Sequence, residues 1–316
     1  MGNSLRKMML GGLLILGLAL FTAGCRKDNQ TRIARPAPDL KKGAAHVGQS
    51  AGESGPSAGH PYGRPVGAAT VLPWEGKTLF QRQLAALGLQ YRMAAFQTTL
   101  PDPLPGEEAN VALAADLLAG RSLGPGAAFS LNRTIGPYRK EKGYRDGPAY
   151  VGSKVRKTSG GGVCKIASTL YNVVTLAGLQ VLERHAHGMQ VPYVPPGQDA
   201  TVAEGAKDFR FRNNTPGPLS IWADTRGNTL YLAIYGNTKP PKVTWRHQVL
   251  KRWPTRTIRR SNSALKPGSV KVAVPGAEGL VVRSELLIEY PDGRVEHRRL
   301  KLDVYRPLPE VIESNP

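Results

Sequence analysis

Gly160-Gly161-Gly162-Val163-Cys164-Lys165-Ile166-Ala167-Ser168-Thr169-Leu170-Tyr171-Asn172-Val173-Val174-Thr175-Leu176-Ala177-Gly178 is the stretch from which the rest of the chain is best read. Val163, Ile166, Leu170, Val173, Val174 and Ala177 recur at helical spacing as an apolar stripe, which Gly178 ends. Cys164, Ser168 and Tyr171 fall on the neighbouring stripe, so the thiol shares a face with polar groups. The glycines let backbone amides approach a bound group closely. A thiol in the first turn meets unpaired N–H groups and partial positive charge, which can lower its pKa from about 8.5 to between ~3.5 and 7.5. Lone cysteines and glycine-rich helix starts also serve packing alone, so a nucleophile here requires a base.

Candidate bases lie just downstream, in Arg184-His185-Ala186-His187. If this segment is a strand, His185 and His187 share a face. Spacing alone leaves general base, metal ligand and surface residue open for the pair. A metal set of Cys164, His185 and His187 lacks a further short-spaced Cys/His pair, and neither a metal nor another cofactor is expected. Asp199 or Asp208 could orient a histidine, while Asp199 equally suits a turn after Pro195-Pro196-Gly197.

The amino terminus sets the compartment. Arg6 and Lys7 precede an apolar run from Met8 to Phe21 and the small residues Thr22-Ala23-Gly24 before Cys25. This pattern reads as a signal peptide over residues 1–24 and resembles the lipobox of bacterial lipoproteins, in which the cysteine is acylated. The run is shorter than the ~20 residues that span a bilayer, which argues against an uncleaved anchor. The expected location is therefore extracytoplasmic, on a membrane through a lipid at Cys25. An acylated Cys25 offers no thiol, which leaves Cys164 unpaired in an oxidising compartment. The net charge of +20 predicts attraction to anionic envelope polymers. Export and the lack of a nucleic-acid-binding motif exclude nucleic acid as the partner.

Residues 25–75 are rich in Gly, Ala, Pro and Ser and read as a flexible tether spanning roughly 40 Å. A folded domain is expected over 76–238. Residues 92–100 read as a strand, and Glu107 to Ala119 as a helix with two acids in its first turn. Pro218 to Asp224 and Thr229 to Tyr235 read as a hairpin. Residues 239–316 are expected to be a basic, β-rich module with a hairpin around Asp292-Gly293. From Lys242 to Arg260 seven Lys or Arg residues surround Trp245 and Trp253 without an acid. A charge run is most often a solvated face, but these tryptophans suggest a contact surface for sugars or anionic polymer. The fold class is α+β: a mainly antiparallel sheet with the Cys-bearing helix packed on it, plus a small all-β carboxy-terminal module.

Residues from about Asn110 to Gly236 resemble the VanW-type domain family. The resemblance is carried by Gly126-Ala127-Ala128-Phe129-Ser130-Leu131-Asn132, the Gly160 to Cys164 run with Ser168-Thr169-Leu170-Tyr171-Asn172, His185-Ala186-His187, Gly197-Gln198-Asp199-Ala200-Thr201-Val202, and Asp208-Phe209-Arg210-Phe211-Arg212-Asn213-Asn214. Lys165 stands where the family usually has glutamine, and Gly188 where it usually has serine; a lysine beside the thiol would favour thiolate. The resemblance implies peptidoglycan chemistry of the L,D-transpeptidase kind, with Cys164 as nucleophile and His187 as proton shuttle. His185 and Asp199 complete the expected catalytic set. Gly161 and Gly162 are the expected oxyanion donors, and Ser168, Tyr171, Asn132 and Arg210 further substrate contacts. The expected partner is peptidoglycan. A non-catalytic peptidoglycan-binding lipoprotein and a glycopeptide-resistance accessory protein are the alternatives. The last 70 or so residues resemble the G-five domain of wall proteins, which implies glycan binding.

Overall fold

The computed structural model describes residues 41–42, 66–101, 103–151 and 154–316. The leader, Cys25 and most of the tether lie outside the described residues. In chain order the first elements are β1 (Lys41–Lys42), β2 (Gly67–Ala68), α1 (Thr78–Leu87), β3 (Tyr91–Thr99), α2 (Pro105–Leu118), β4 (Arg121–Leu123), β5 (Ala128–Ser130) and α3 (Leu131–Ile135). The hairpin β6 (Asp146–Val151) and β7 (Lys154–Ser159) leads into α4 (Val163–Leu176), then β8 (Gln180–Glu183), β9 (Arg210–Arg212), β10 (Leu219–Arg226) and β11 (Thr229–Gly236). The remainder is all strand: β12 (Lys242–Trp253), β13 (Thr257–Ser261), β14 (Val270–Val274), β15 (Gly279–Glu289), β16 (Val295–Arg299), β17 (Asp303–Tyr305) and β18 (Glu310–Ser314). The class is mixed α and β, with mostly antiparallel sheets and few helices. Only β1 with β3 and β13 with β18 pair in parallel among the named strands.

The organising sheet runs β1-β3-β11-β10-β4, with β2 also on β3. Its central strands bury both faces, and their sequences say why. In β11, Leu230, Leu232 and Ile234 enter one core while Ala233 and Tyr235 enter another; in β10, Ile221 and Ala223 oppose Trp222 in the same way. This is the period of two that a strand imposes, with large apolar groups on each side. Helices α2 and α4 cover the first face and α1 the second. The folded region therefore starts earlier than the composition suggests. Trp74, inside the expected tether, is fully buried and donates its indole N–H to Tyr235 Oη at 2.9 Å. Ala69 and Leu72 join Trp74 in the second core.

The β10–β11 hairpin pairs Arg226 with Thr229 across Gly227-Asn228, and Gly227 takes the left-handed conformation this tight turn demands. Strands β16 and β17 both pair with β15, which in turn pairs with β12. Val243 of β12 and Leu286 and Ile288 of β15 share one core with α4, so the chain on either side of residue 238 is packed together. Trp245 follows the same logic: partly buried, it stacks on His247 and meets the edge of Tyr171 as it packs against this core.

Candidate active site

Every residue of α4 is buried except Cys164. A single apolar stripe does not account for this, since a helix buried all round needs cover for its polar face too. Residues 198–202 supply that cover for Cys164, Ser168 and Asn172. Asn172 Nδ2 donates to Gln198 O at 2.8 Å. Ser168 Oγ donates to Ala200 O at 3.0 Å and accepts from Ala200 N at 2.9 Å. Cys164 Sγ lies 3.3 Å from Thr201 Oγ1 and 3.7 Å from Val202 O. Ser168 thus fixes the segment in register beside the thiol. Tyr171 is likewise buried, edge-on to Phe209 and Trp245, with Arg184 5.1 Å from its ring. Neither Ser168 nor Tyr171, both expected as substrate contacts, faces solvent.

The same segment delivers Asp199, whose carboxylate holds a histidine beside the thiol. His187 Nδ1 is 2.6 Å from Asp199 Oδ2, and the His187 amide donates to the same oxygen at 2.7 Å. A carboxylate accepting at Nδ1 fixes the tautomer with its proton there and aims the other nitrogen elsewhere. That atom, Nε2, is buried without a hydrogen-bond partner among the described residues, and Cys164 is the neighbouring group, besides Asp199, whose charge raises the ring. Tyr193 lies edge-on to the ring at 6.4 Å between centroids. Cys164, His187 and Asp199 therefore form a thiol–imidazole–carboxylate chain at the start of a buried helix.

Its electrostatics follow from burial opposed by partners. Burial pushes the Cys164 thiol up, but the His187 ring and the Thr201 hydroxyl outweigh it and bring the thiol below its ordinary value. Burial pushes His187 down, yet Asp199 and the sulfur together raise it to about 9. Burial pushes Asp199 up, while His187, Arg184 and Tyr305 hold it at about 2. All three directions favour the thiolate, imidazolium and carboxylate forms.

The glycine turn shapes the start of α4. Gly162 caps it at φ +102°, which an L side chain resists. A Cβ on Gly161 would stand 2.2 Å from the backbone of Gly147 in β6, so the position admits only glycine. The amides of Gly160, Gly161, Val163 and Lys165 donate to the carbonyls of Arg145, Thr158, Gly160 and Gly162. Among the described residues, those of Gly162 and Cys164 make no such bond, which leaves them as donors beside the sulfur.

The other expected positions separate from this centre. Strand β8 ends at Glu183, so His185 and His187 do not share a strand face; His185 Nε2 pairs with Glu183 Oε1 at 3.0 Å. Asp208, the other candidate orienter, instead accepts from Ser130 Oγ and the Asn132 amide at the start of α3. Asn132 donates to Lys207 O and accepts from Tyr138 Oη at 2.6 Å. Burial and then the sulfur's charge raise the Tyr138 phenol. Arg210 is exposed, 3.7 Å from Glu183. Lys165 points away from the thiol and donates to Asn228 O at 2.6 Å; burial lowers it to about 8, against Glu107 and Glu108. No group of His, Cys, Asp and Glu suited to a metal occurs among the described residues.

Three further groups complete the site, none of them evident from the sequence. Arg184 bonds Asp199 Oδ1 at 3.0 Å and Asp303 Oδ1 at 2.5 Å. Tyr305 Oη donates to Asp199 Oδ1 at 2.5 Å and accepts from Gly197 N at 2.7 Å. Their separation from the thiol in the chain hides them. A cavity of about 630 Å³ opens beyond Arg184, between the end of α4 and the carboxy-terminal strands, bordered by Tyr171, Thr175, Tyr290, Arg298 and Lys301.

A helix-borne cysteine beside a carboxylate-held histidine, on a sheet covered on both faces, lies here within a segment that is similar to a known family. Residues 106–235 match the family described as VanW like protein. The chain is 39% identical over 128 residues to YoaR of Bacillus subtilis, covering 40% of this chain and 42% of that one. It is 29% identical over 136 residues to the vancomycin B-type resistance protein VanW of Enterococcus faecalis, covering 42% and 50%. The chain thus spans about half the length of the curated relatives it matches. Among solved structures, an IgA1 protease G5 domain is similar over 24% of this chain and 92% of its own, at 18% identity and a TM-score of 0.16.

Proposed function

We propose that the protein is a cysteine-dependent acyl transferase of the L,D-transpeptidase kind that acts on peptidoglycan stem peptides. The observation that carries the proposal is the Cys164–His187–Asp199 chain, with Cys164 the one residue of α4 that is not buried. The Cys164 thiolate attacks the stem-peptide carbonyl, and a C–S bond forms. The oxyanion meets the free amides of Gly162 and Cys164 at the helix start. Collapse breaks the C–N bond as His187 gives its Nε2 proton to the leaving amine. The thioester then passes its acyl group to an amine of a neighbouring stem. His187 takes that amine's proton, and the new amide leaves the thiolate–imidazolium pair restored. Asp199 stays ionised throughout and holds the ring.

The setting is the cell envelope. A lipid on Cys25 anchors the chain outside the cytoplasm, and the net charge of +20 draws it to anionic wall polymers. A wall-directed role also fits the resistance relative. The test is incubation of the purified protein with disaccharide-tetrapeptide, read by mass spectrometry for an acylated Cys164 and crosslinked dimers. Both are expected, and both vanish in Cys164→Ala. Crosslinking that survives this change overturns the mechanism, while retained binding to sacculi with an unreactive thiol marks a non-catalytic wall-binding protein.

A further inference from the structure

Asp199 lies between two halves of the chain. On one side its Oδ2 takes the Nδ1 proton contact and the amide of His187. On the other, its Oδ1 accepts from Arg184 and from Tyr305, a residue of β17 well past the end of the family match. Arg184 divides its guanidinium between Asp199 and Asp303, the first residue of β17. Tyr305 is fully buried with Leu280 and Val282, so its hydroxyl is fixed by packing and not by chance rotation. The backbone before Asp199 is locked on the same strands: Gly197 bonds Tyr305 Oη, and a Cβ on it would stand 2.2 Å from Ser284 Oγ of β15. Gln198 Nε2 meets His247 Nε2 of β12 at 2.9 Å.

We propose that β17 is a working part of the site, with Tyr305 and Asp303 as positioning residues that hold and polarise Asp199 behind His187. The inference rests on the reading of Cys164 as nucleophile. The charged and titratable groups around the pair are Cys164 and Tyr171 from α4, Arg184 after β8, Tyr193, and Asp303 and Tyr305 from β17. Within this set the two β17 residues act with opposite sign. The Tyr305 hydroxyl draws charge from Asp199, so its loss makes the carboxylate a stronger partner for the imidazolium. Asp303 offsets Arg184, so neutralising it turns the full guanidinium charge on Asp199 and weakens that partner. A strand that merely braced the fold would not separate these signs.

The test uses the full chain as wild type, Tyr305→Phe and Asp303→Asn. The His187 ring is titrated by NMR, and Cys164 alkylation is followed against pH in parallel. The Tyr305→Phe ring should titrate about half a pH unit or more above wild type, and the Asp303→Asn ring a similar amount below. Acyl transfer should fall in kcat, roughly tenfold, with KM held, because neither residue touches substrate. Should one variant fail to fold, the sign of the other still decides. Titrations that coincide with wild type while wild-type Cys164 remains activated overturn the role of β17 and leave the nucleophile standing. A wild-type Cys164 that alkylates like a free thiol removes the nucleophile and this inference with it.

Discussion

His187 Nδ1 sits 2.6 Å from Asp199 Oδ2, and both side chains are closed off from solvent. The contact fixes which imidazole nitrogen carries the proton toward the carboxylate, and so which one meets the sulfur. Asp199→Asn keeps the size of the side chain but exchanges a charged acceptor for an amide that can present N–H to Nδ1. The expected result is the opposite tautomer, a thiol no longer drawn below its ordinary pKa, and a fall in acyl transfer of about 10²- to 10⁴-fold. Single-turnover acylation followed by intact mass measures it; a fall under tenfold would show that the carboxylate is dispensable.

The pH dependence of stability has a definite sign for each partner. His187 is raised from 6.5 to about 9, so its contribution is complete below pH 6.5 and disappears as pH rises through about 9. Asp199 is lowered from 3.8 to about 2, so its contribution is complete above pH 3.8 and disappears as pH falls through about 2. From these two groups denaturant midpoints are highest near pH 4 to 6.5 and decline toward pH 9, a decline that the lowered Cys164 thiol opposes because its own contribution grows with pH. In Asp199→Asn the alkaline decline should flatten. An unchanged decline would assign it to other groups.

How much of this could be read from the sequence depends on distance along the chain. The spacing of Val163, Ile166, Leu170, Val173 and Val174 marks α4 because helical period is a local property, and the β10–β11 hairpin is legible for the same reason. The segment that covers the thiol's face is not local: Ala200 and Thr201 reach Ser168 and Cys164 only through the tertiary fold. The choice between Asp199 and Asp208 turns on which loop lies beside His187, which no periodicity encodes. Tyr305 and Asp303 are further still from the thiol and carry no motif. His185 shows the reverse problem, since a one-residue alternation suggested a strand face that the end of β8 at Glu183 removes.

Lys165 adjoins the thiol in sequence but not in space. Successive helix positions point about 100° apart, and its Nζ reaches Asn228 O on the sheet side. Lys165→Gln should leave the midpoint of Cys164 alkylation against pH within about 0.3 units of wild type, an interaction of under about 0.5 kcal/mol. A clear upward shift would mean that the lysine charge reaches the sulfur after all.

Gly161 and Gly188 are glycines of opposite kinds, and the difference bears on the helix start that holds the thiol. A Cβ at Gly161 meets Gly147 C at 2.2 Å and Pro148 O at 2.6 Å, both backbone atoms of β6 that no rotamer change can move. A Cβ at Gly188 meets nothing within 4 Å. Gly161→Ala should therefore separate the hairpin β6–β7 from the start of α4, destabilise the protein by about 2–4 kcal/mol and disturb the free amides beside Cys164. Gly188→Ala should change stability by no more than about 0.5 kcal/mol. Urea unfolding of the two variants decides between a turn selected for packing against β6 and one open to substitution. If Gly161→Ala folds with wild-type stability, the close approach to Gly147 is not what fixes the turn, and the placement of the oxyanion donors loses its structural cause.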